Sequence, residues 1–301
     1  MKTVMCKKKV PLRSKIESAL FLYRAYANRS FSDVKRTIWH HQRLLGYLNK
    51  YVGIPVEKTR ILEIGCGQTA RQVALFHADG ASIVGIDIEV PTYIMNLSVF
   101  LKVVRLNGIE RALKSLARHI LFDKKFFTEL SKEYGEPVTF NDLDVRIMDA
   151  TNMIFESDSF DFVFSNMVFQ HIDNVEGAVK EVNRMLKPTG IAAVSIHLFP
   201  SISGGICHEW LNPDQSPSKN VPPWDHLREN RYPVNIHLNK LKINQYRKIF
   251  RTYTNIIEEQ TATEGEKLLP PAIEEELKNK GYTREDLLTR TILFLVRKKS
   301  Q

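Results

Sequence analysis

The segment Arg60–Gly67, RILEIGCG, constrains this chain more than any other. A short apolar run ends in two glycines one residue apart, and Ala70–Ala78 continues with helical character: strand, tight turn, helix. The alternation then repeats. Ser82–Ile88, Val145–Met148, Phe160–Ser165 and Ile191–His197 read as strands, and Gly177–Leu186 reads as a helix. Near-continuous apolar strands separated by helices predict a parallel sheet covered on both faces. Asn255–Glu259 and Thr291–Arg297 add two late strands around a charged, proline-bearing excursion. Upstream, Ser32 is a plausible N-cap. Val34, Ile38, Leu45, Leu48 and Val52 recur at helical spacing until Gly53 and Pro55 end the run.

With 301 residues the chain can bury a sizeable core without staples. Its 43% hydrophobic and 26% charged residues exclude wholesale disorder and a small disulfide scaffold. The net charge of +9 suits anionic partners, although lysine-rich solvated faces give the same surplus. Three scattered cysteines, Cys6, Cys66 and Cys207, form neither a disulfide framework nor a metal motif, so a cytoplasmic location and no metal are expected. No apolar run approaches membrane-spanning length. The basic tail over 1–13 has no apolar region behind it, so it does not read as a secretory signal, and the sequons at Asn28 and Asn96 are taken as chance matches.

Gly65 and Gly67 let the backbone turn and approach a ligand, and the next helix presents unpaired N–H groups there. Asp87 ends the second strand twenty residues later, where a carboxylate can accept from both hydroxyls of a ribose. Together they point to an adenosine-containing cofactor. Gly65, Gly67 and Ala70 also satisfy the dinucleotide fingerprint, so a nicotinamide cofactor competes at this point.

Further motifs separate the two. Glu63-x-Gly65-x-Gly67 resembles the first motif of the class I S-adenosylmethionine (SAM)-dependent methyltransferases, in their small-molecule "type 11"-like branch. Gly85-Ile86-Asp87 resembles that family's ribose-binding strand end, and Met148-Asp149-Ala150 its adenine-side turn. Phe160–Asn166 followed by Gln170-His171-Ile172 resembles its fourth-strand motif, and Leu186–Gly190 the turn into its fifth strand. Five motifs stand in the family's order over residues 60–197. Thr69 and Thr189 replace family glycines.

The resemblance implies an α/β fold: a doubly wound, Rossmann-like, mostly parallel seven-stranded sheet with an antiparallel last strand. It implies SAM as cofactor, held by Glu63, Gly65, Gly67, Asp87, Asp149, Ala150 and Asn166, with Glu89 next in line for the ribose. Residues 1–55 are expected to form a basic tail and helical cap, and 56–301 the SAM-binding domain. Insertions over 91–140 and 198–250 are expected to cap the acceptor side.

Methyl transfer from a sulfonium is an in-line displacement, in which the protein aligns the reactants and excludes water. A hydroxyl acceptor needs a base, and His171, just after the fourth strand, is the candidate. The plainer reading of His171 is that it starts or caps the next helix, and Asn166 could equally cap one. His208, Trp210, Trp224 and His226, on the Gly- and Pro-bearing second insertion, are expected to bind a sugar-like or aromatic acceptor, or else to pack on the sheet. Val221-Pro222-Pro223-Trp224 lacks the polar first residue and the position of the nucleic-acid amino-methyltransferase motif. In the first insertion, Leu97, Leu101 and Val104, then Ile109, Leu113, Leu116 and Ile120, form apolar stripes broken at Gly108. They predict two basic amphipathic helices, read as a packed cap, with contact to an anionic membrane as the rival. The expected reaction is methylation, at oxygen, of a small-molecule, glycan or lipid-linked acceptor. The alternatives are a nucleic-acid methyltransferase, a nicotinamide oxidoreductase and a silent SAM-fold scaffold.

Overall fold

In the computed structural model, residues 33–234 and 236–299 are described. The basic tail, Cys6, Asn28 and the Ser32 cap lie outside them. The described chain enters in a helix, α1, over 33–51. Seven strands follow: β1 (Arg60–Ile64), β2 (Ser82–Asp87), β3 (Asp144–Ile147), β4 (Phe160–Asn166), β5 (Leu186–His197), β6 (Thr254–Thr263) and β7 (Thr289–Lys298). They form one sheet in the order β3-β2-β1-β4-β5-β7-β6. The first five run parallel, and β7 lies antiparallel between β5 and β6.

Strand alternation divides the core into two layers. Leu62, Ile64, Val84, Ile86, Val163 and Val194 pack against α6 (Val175–Met185) and α7 (Ile243–Tyr253). Ile61, Ile83, Phe162, Phe164 and Ala193 pack on the other side with Leu44 and Leu48 of α1 and with Val73 and Phe76 of α2 (Arg71–Ala78). Polar groups fix α1 onto α2: buried His41 bonds Gln72 Oε1 at 3.1 Å and Asp79 Oδ2 at 2.7 Å, and Gln72 donates to the Thr37 carbonyl at 2.9 Å. The helical segment before β1 is therefore built into the sheet's covering layer.

The first insertion breaks at Gly108 as expected, giving α3 (Leu97–Asn107) and α4 (Ile109–Arg118). One π turn at His119–Asp123 then leads into a further helix, α5 (Lys124–Tyr134), which the apolar stripes did not reveal. Phe126 and Leu130 of α5 pack on the outer side of α2. Asn96 is the N-cap of α3, accepting from the Val99 N–H at 2.9 Å. Arg118 turns inward, donating to Asp123, Gln68 and Thr92, and Arg111 pairs with Glu89.

The second insertion forms a satellite core with α8 (Pro271–Asn279) and α9 (Arg284–Leu288), in which Trp210, Trp224, Leu277 and Leu287 meet. Both helices lie in the stretch read as a charged excursion. Their local signals are Pro271 at the start of α8 and the reciprocal Thr283–Asp286 cap of α9. Among the described residues, no helix is long and apolar enough to cross a membrane.

Candidate active site

The turn after β1 is shaped by its neighbours. Gly65 (φ +77°) and Gly67 (φ +66°) both hold left-handed backbone. A Cβ on Gly65 would stand 2.2 Å from Val168 Cγ2, so only glycine lets the turn pass beneath the segment after β4. A Cβ on Gly67 would meet nothing within 4 Å, so the backbone there borders open space. The Gly65 and Cys66 N–H groups donate to the Ile86 carbonyl at 2.8 and 3.1 Å. Asp87 then fastens the loop, its two oxygens accepting from the N–H groups of Gly67 and Glu89, each at 2.8 Å. Each oxygen retains a lone pair for a further donor. Burial, ahead of the neighbouring charge of Glu89, raises the Asp87 carboxyl above its ordinary range, while the two N–H bonds oppose the shift.

Glu63 stands at the end of β1, fully buried, and its Oε2 has no hydrogen-bond partner. Burial first, and the nearby Asp87 second, push its pKa up to about 8. Such a carboxyl awaits a cation, because an incoming positive charge restores the solvation that burial removed.

Glu63, Gly65, Gly67 and Asn166 line one cavity of about 560 Å³, within the range of small-molecule sites. Asp87 and the turn 148–150 stand beside the loop rather than in that lining. The Met148 N–H donates to the Asp87 carbonyl at 2.9 Å, and Asp149 caps its own turn by accepting from Thr151. Ala150 is buried against the β1–β2 layer.

Beyond the glycine loop the cavity runs between α1 and the ends of β4, β5 and β7. His197, the last residue of β5, lines it. Ser203 donates its hydroxyl hydrogen to Glu264 Oε1 at 2.5 Å, so the 2.8 Å contact between His197 Nε2 and Ser203 Oγ requires the imidazole to donate from Nε2. The lone pair therefore sits on Nδ1. Burial, then the charges of Arg290, His171 and His226, lower the His197 pKa to about 4, so the ring is neutral at physiological pH.

His171 lies apart from the cavity lining. Its Nδ1 must donate to the His237 carbonyl at 2.8 Å, which leaves Nε2 as acceptor toward Gln170 Nε2 at 3.4 Å. It braces the segment after β4 against the second insertion, where Asn239 also donates to the carbonyls of Phe169 and Ile172.

The four insertion residues are not gathered in one place. Trp224 is fully buried in the satellite core. Trp210 and His226 border a separate cavity of about 150 Å³, with His226 Nε2 donating to the Phe199 carbonyl at 2.9 Å. Burial lowers the His226 pKa to about 4. His208 is exposed and lines neither cavity.

Sequence reasoning missed the wall supplied by α1, namely Trp39, His40, Arg43 and Tyr47, and it missed His197 and Arg290. His197 had a signal: it stands at the carboxyl end of a parallel strand, where such folds bind ligands. The α1 residues had none, because their place depends on how α1 docks.

An open-faced Gly67, a buried carboxyl without a partner and a carboxylate fixed by two N–H groups suit SAM, which carries a sulfonium, an ammonium and a ribose diol. Residues 100–194 match the family model described as a methyltransferase domain. Over those residues the chain is similar to a methyltransferase domain, which implies SAM as cofactor.

Among curated proteins, the PKS-NRPS hybrid synthetase cheA of Chaetomium globosum is 27% identical over 146 residues, covering 41% of this chain and 3% of that protein's length. Among solved structures, the PH0226 protein of Pyrococcus horikoshii OT3 is 15% identical with TM-score 0.48, covering 92% of this chain and 99% of its own. A putative sarcosine dimethylglycine methyltransferase from Galdieria sulphuraria is 14% identical with TM-score 0.48, covering 87% of this chain and 86% of its own. The Haemonchus contortus phosphoethanolamine N-methyltransferase 2 in complex with SAM is 19% identical with TM-score 0.44, covering 86% of this chain and 53% of its own.

Proposed function

We propose that this protein transfers the methyl group of SAM to a hydroxyl oxygen of a small-molecule, glycan or lipid-linked acceptor. The observation that carries the reading is one cavity shared by the glycine loop and the neutral, oriented His197. When bound, SAM supplies an electrophilic methyl group with its own leaving group. Glu63, Gly65, Gly67 and Asn166 would hold the donor's methionine end, and Asp87 its ribose, with Asp149 and Ala150 flanking the adenine. The α1 wall and the β7 end exclude water and confine the acceptor. His197 accepts the hydroxyl proton at Nδ1 as the carbon–oxygen bond forms. The charge it gains is offset through Ser203 by Glu264, which is 4% exposed. In this reading His171 positions the segment after β4, and Trp210 and His226 shape a neighbouring recess.

Two substitutions test it. With methyl-labelled SAM and extract metabolites as acceptors, His197→Ala should keep S-adenosylhomocysteine affinity and lose about 10²–10⁴-fold in turnover. His171→Ala should keep turnover per folded molecule and lose stability. A folded His197→Ala protein with nearly full turnover, or a His171→Ala protein that binds S-adenosylhomocysteine but does not turn over, would return the base role to His171.

A further inference from the structure

The charge balance of the cavity points to the acceptor's chemistry. Four arginines line it, Arg36, Arg43, Arg71 and Arg290, against a single carboxylate, Glu63. That carboxylate is the one burial holds largely protonated at neutral pH. Arg290 is partly compensated, lying 3.5 Å from Glu264 Oε2, and Arg36 pairs with Asp33 at 3.1 Å. Arg43 has no carboxylate within ion-pair distance among the described residues. Its guanidinium lies 4.9 Å from the centre of the Trp39 ring and donates to the Tyr47 hydroxyl at 2.6 Å and to Gln260 at 3.3 Å. Those neutral contacts hold the guanidinium in place without cancelling its charge. Beside it, His40 Nε2 is buried without a hydrogen-bond partner. Burial, then Arg43 and His41, lower the His40 pKa to about 4, so the ring is neutral at physiological pH.

The donor does not relieve this excess. SAM carries one carboxylate against an ammonium and a sulfonium, so it enters as a net cation. If one arginine takes that carboxylate, Arg71 at the start of α2 beside the glycine loop is the one placed for it. Glu63, ionised by the incoming cation, offsets the donor's net charge, so the α1 side remains positive with donor bound. A neutral acceptor would leave Arg43 uncompensated in a partly desolvated wall.

We propose that the acceptor is a small-molecule anion, bearing a carboxylate or a phosphate apart from the methylated hydroxyl, and that Arg43 with His40 grips this group while Arg290 faces it across the cavity. The proposal rests on the functional reading above and adds the acceptor's class to it.

The test uses the full chain saturated with S-adenosylhomocysteine, with thermal melting followed in inorganic phosphate or succinate at ionic strength matched by sodium chloride. One or both anions should raise the melting temperature beyond the chloride control, and the stronger arm tells phosphate from carboxylate. Arg43→Gln should lose the increment while S-adenosylhomocysteine affinity stays within about twofold, and Arg43→Lys should keep part of it. No increment in the wild type, an equal increment in Arg43→Gln, or displacement of S-adenosylhomocysteine by the anion would overturn the proposal. Failure of the wild type to bind S-adenosylhomocysteine at all would instead overturn the functional reading beneath it.

Discussion

Gly65→Ala probes the contact on which the donor loop depends. The added Cβ would stand 2.2, 2.7 and 2.9 Å from Val168 Cγ2, Cγ1 and Cβ, distances that packed carbon atoms do not adopt. It would also force an alanine to φ +77°. Left-handed backbone costs a non-glycine residue about 1–2 kcal/mol, and overpacking typically costs about 1–3 kcal/mol. The sum, about 2–5 kcal/mol, is large against a domain stability of about 5–15 kcal/mol, yet leaves most molecules folded at room temperature. Denaturant unfolding should show this loss, and calorimetry should show S-adenosylhomocysteine binding weakened at least about tenfold. Val168→Ala removes the two nearest atoms and leaves the one at 2.9 Å, so it should recover part of the steric cost and none of the backbone cost. The double-mutant cycle should therefore give a favourable coupling of about 1–2 kcal/mol. A Gly65→Ala protein as stable as wild type, or zero coupling to Val168, would refute the reasoning.

Three further outcomes are expected. Asp87→Ala should weaken SAM by about 10–100-fold in calorimetry, because one residue fastens the Gly67 N–H and, in the proposed reading, takes the ribose, and a charge-assisted contact contributes about 1.5–3 kcal/mol; an unchanged affinity in a folded variant would move the ribose contact to Glu89. Glu63 has a folded pKa of about 8, raised above its ordinary 4.5, so the folded state holds the extra proton and its stabilisation is lost as pH climbs through that window. The lowered histidines His40, His197 and His226 act in the opposite sense, between about 4 and 6.5, so between pH 7 and 8 the fall in apo-protein melting temperature should belong to Glu63 and flatten in Glu63→Gln; equal slopes in both proteins would contradict the assignment. Finally, Arg111 and Arg118 are tied inward, so the protein should stay in the supernatant with phosphatidylglycerol vesicles at physiological salt. Salt-sensitive co-sedimentation would show that exposed Leu97, Leu101 and Leu113 engage the bilayer.

The alternation of apolar strands with helices, the glycine turn and its acidic partner were legible in the sequence because they are local. A buried strand must be apolar at successive positions, and a turn at φ +77° needs glycine wherever the rest of the chain goes. The seven strands and the break at Gly108 followed from such rules, while the placing of Glu63 and Asn166 beside Gly65 and Gly67 was an implication of the family resemblance. The α1 side of the cavity did not. Arg43 lies 217 residues from the Gln260 it contacts, and His197 acquires its tautomer from Ser203 and Glu264. Trp224, conspicuous on a proline-rich loop, serves the satellite core, while Trp39 and Tyr47, inconspicuous in an amphipathic helix, line the cavity. Periodicity tells which face of a helix is apolar, but not what its polar flank will meet. Here that was decided by docking α1 on α2 through His41 and Gln72, a contact between distant segments that exists only once the sheet has formed.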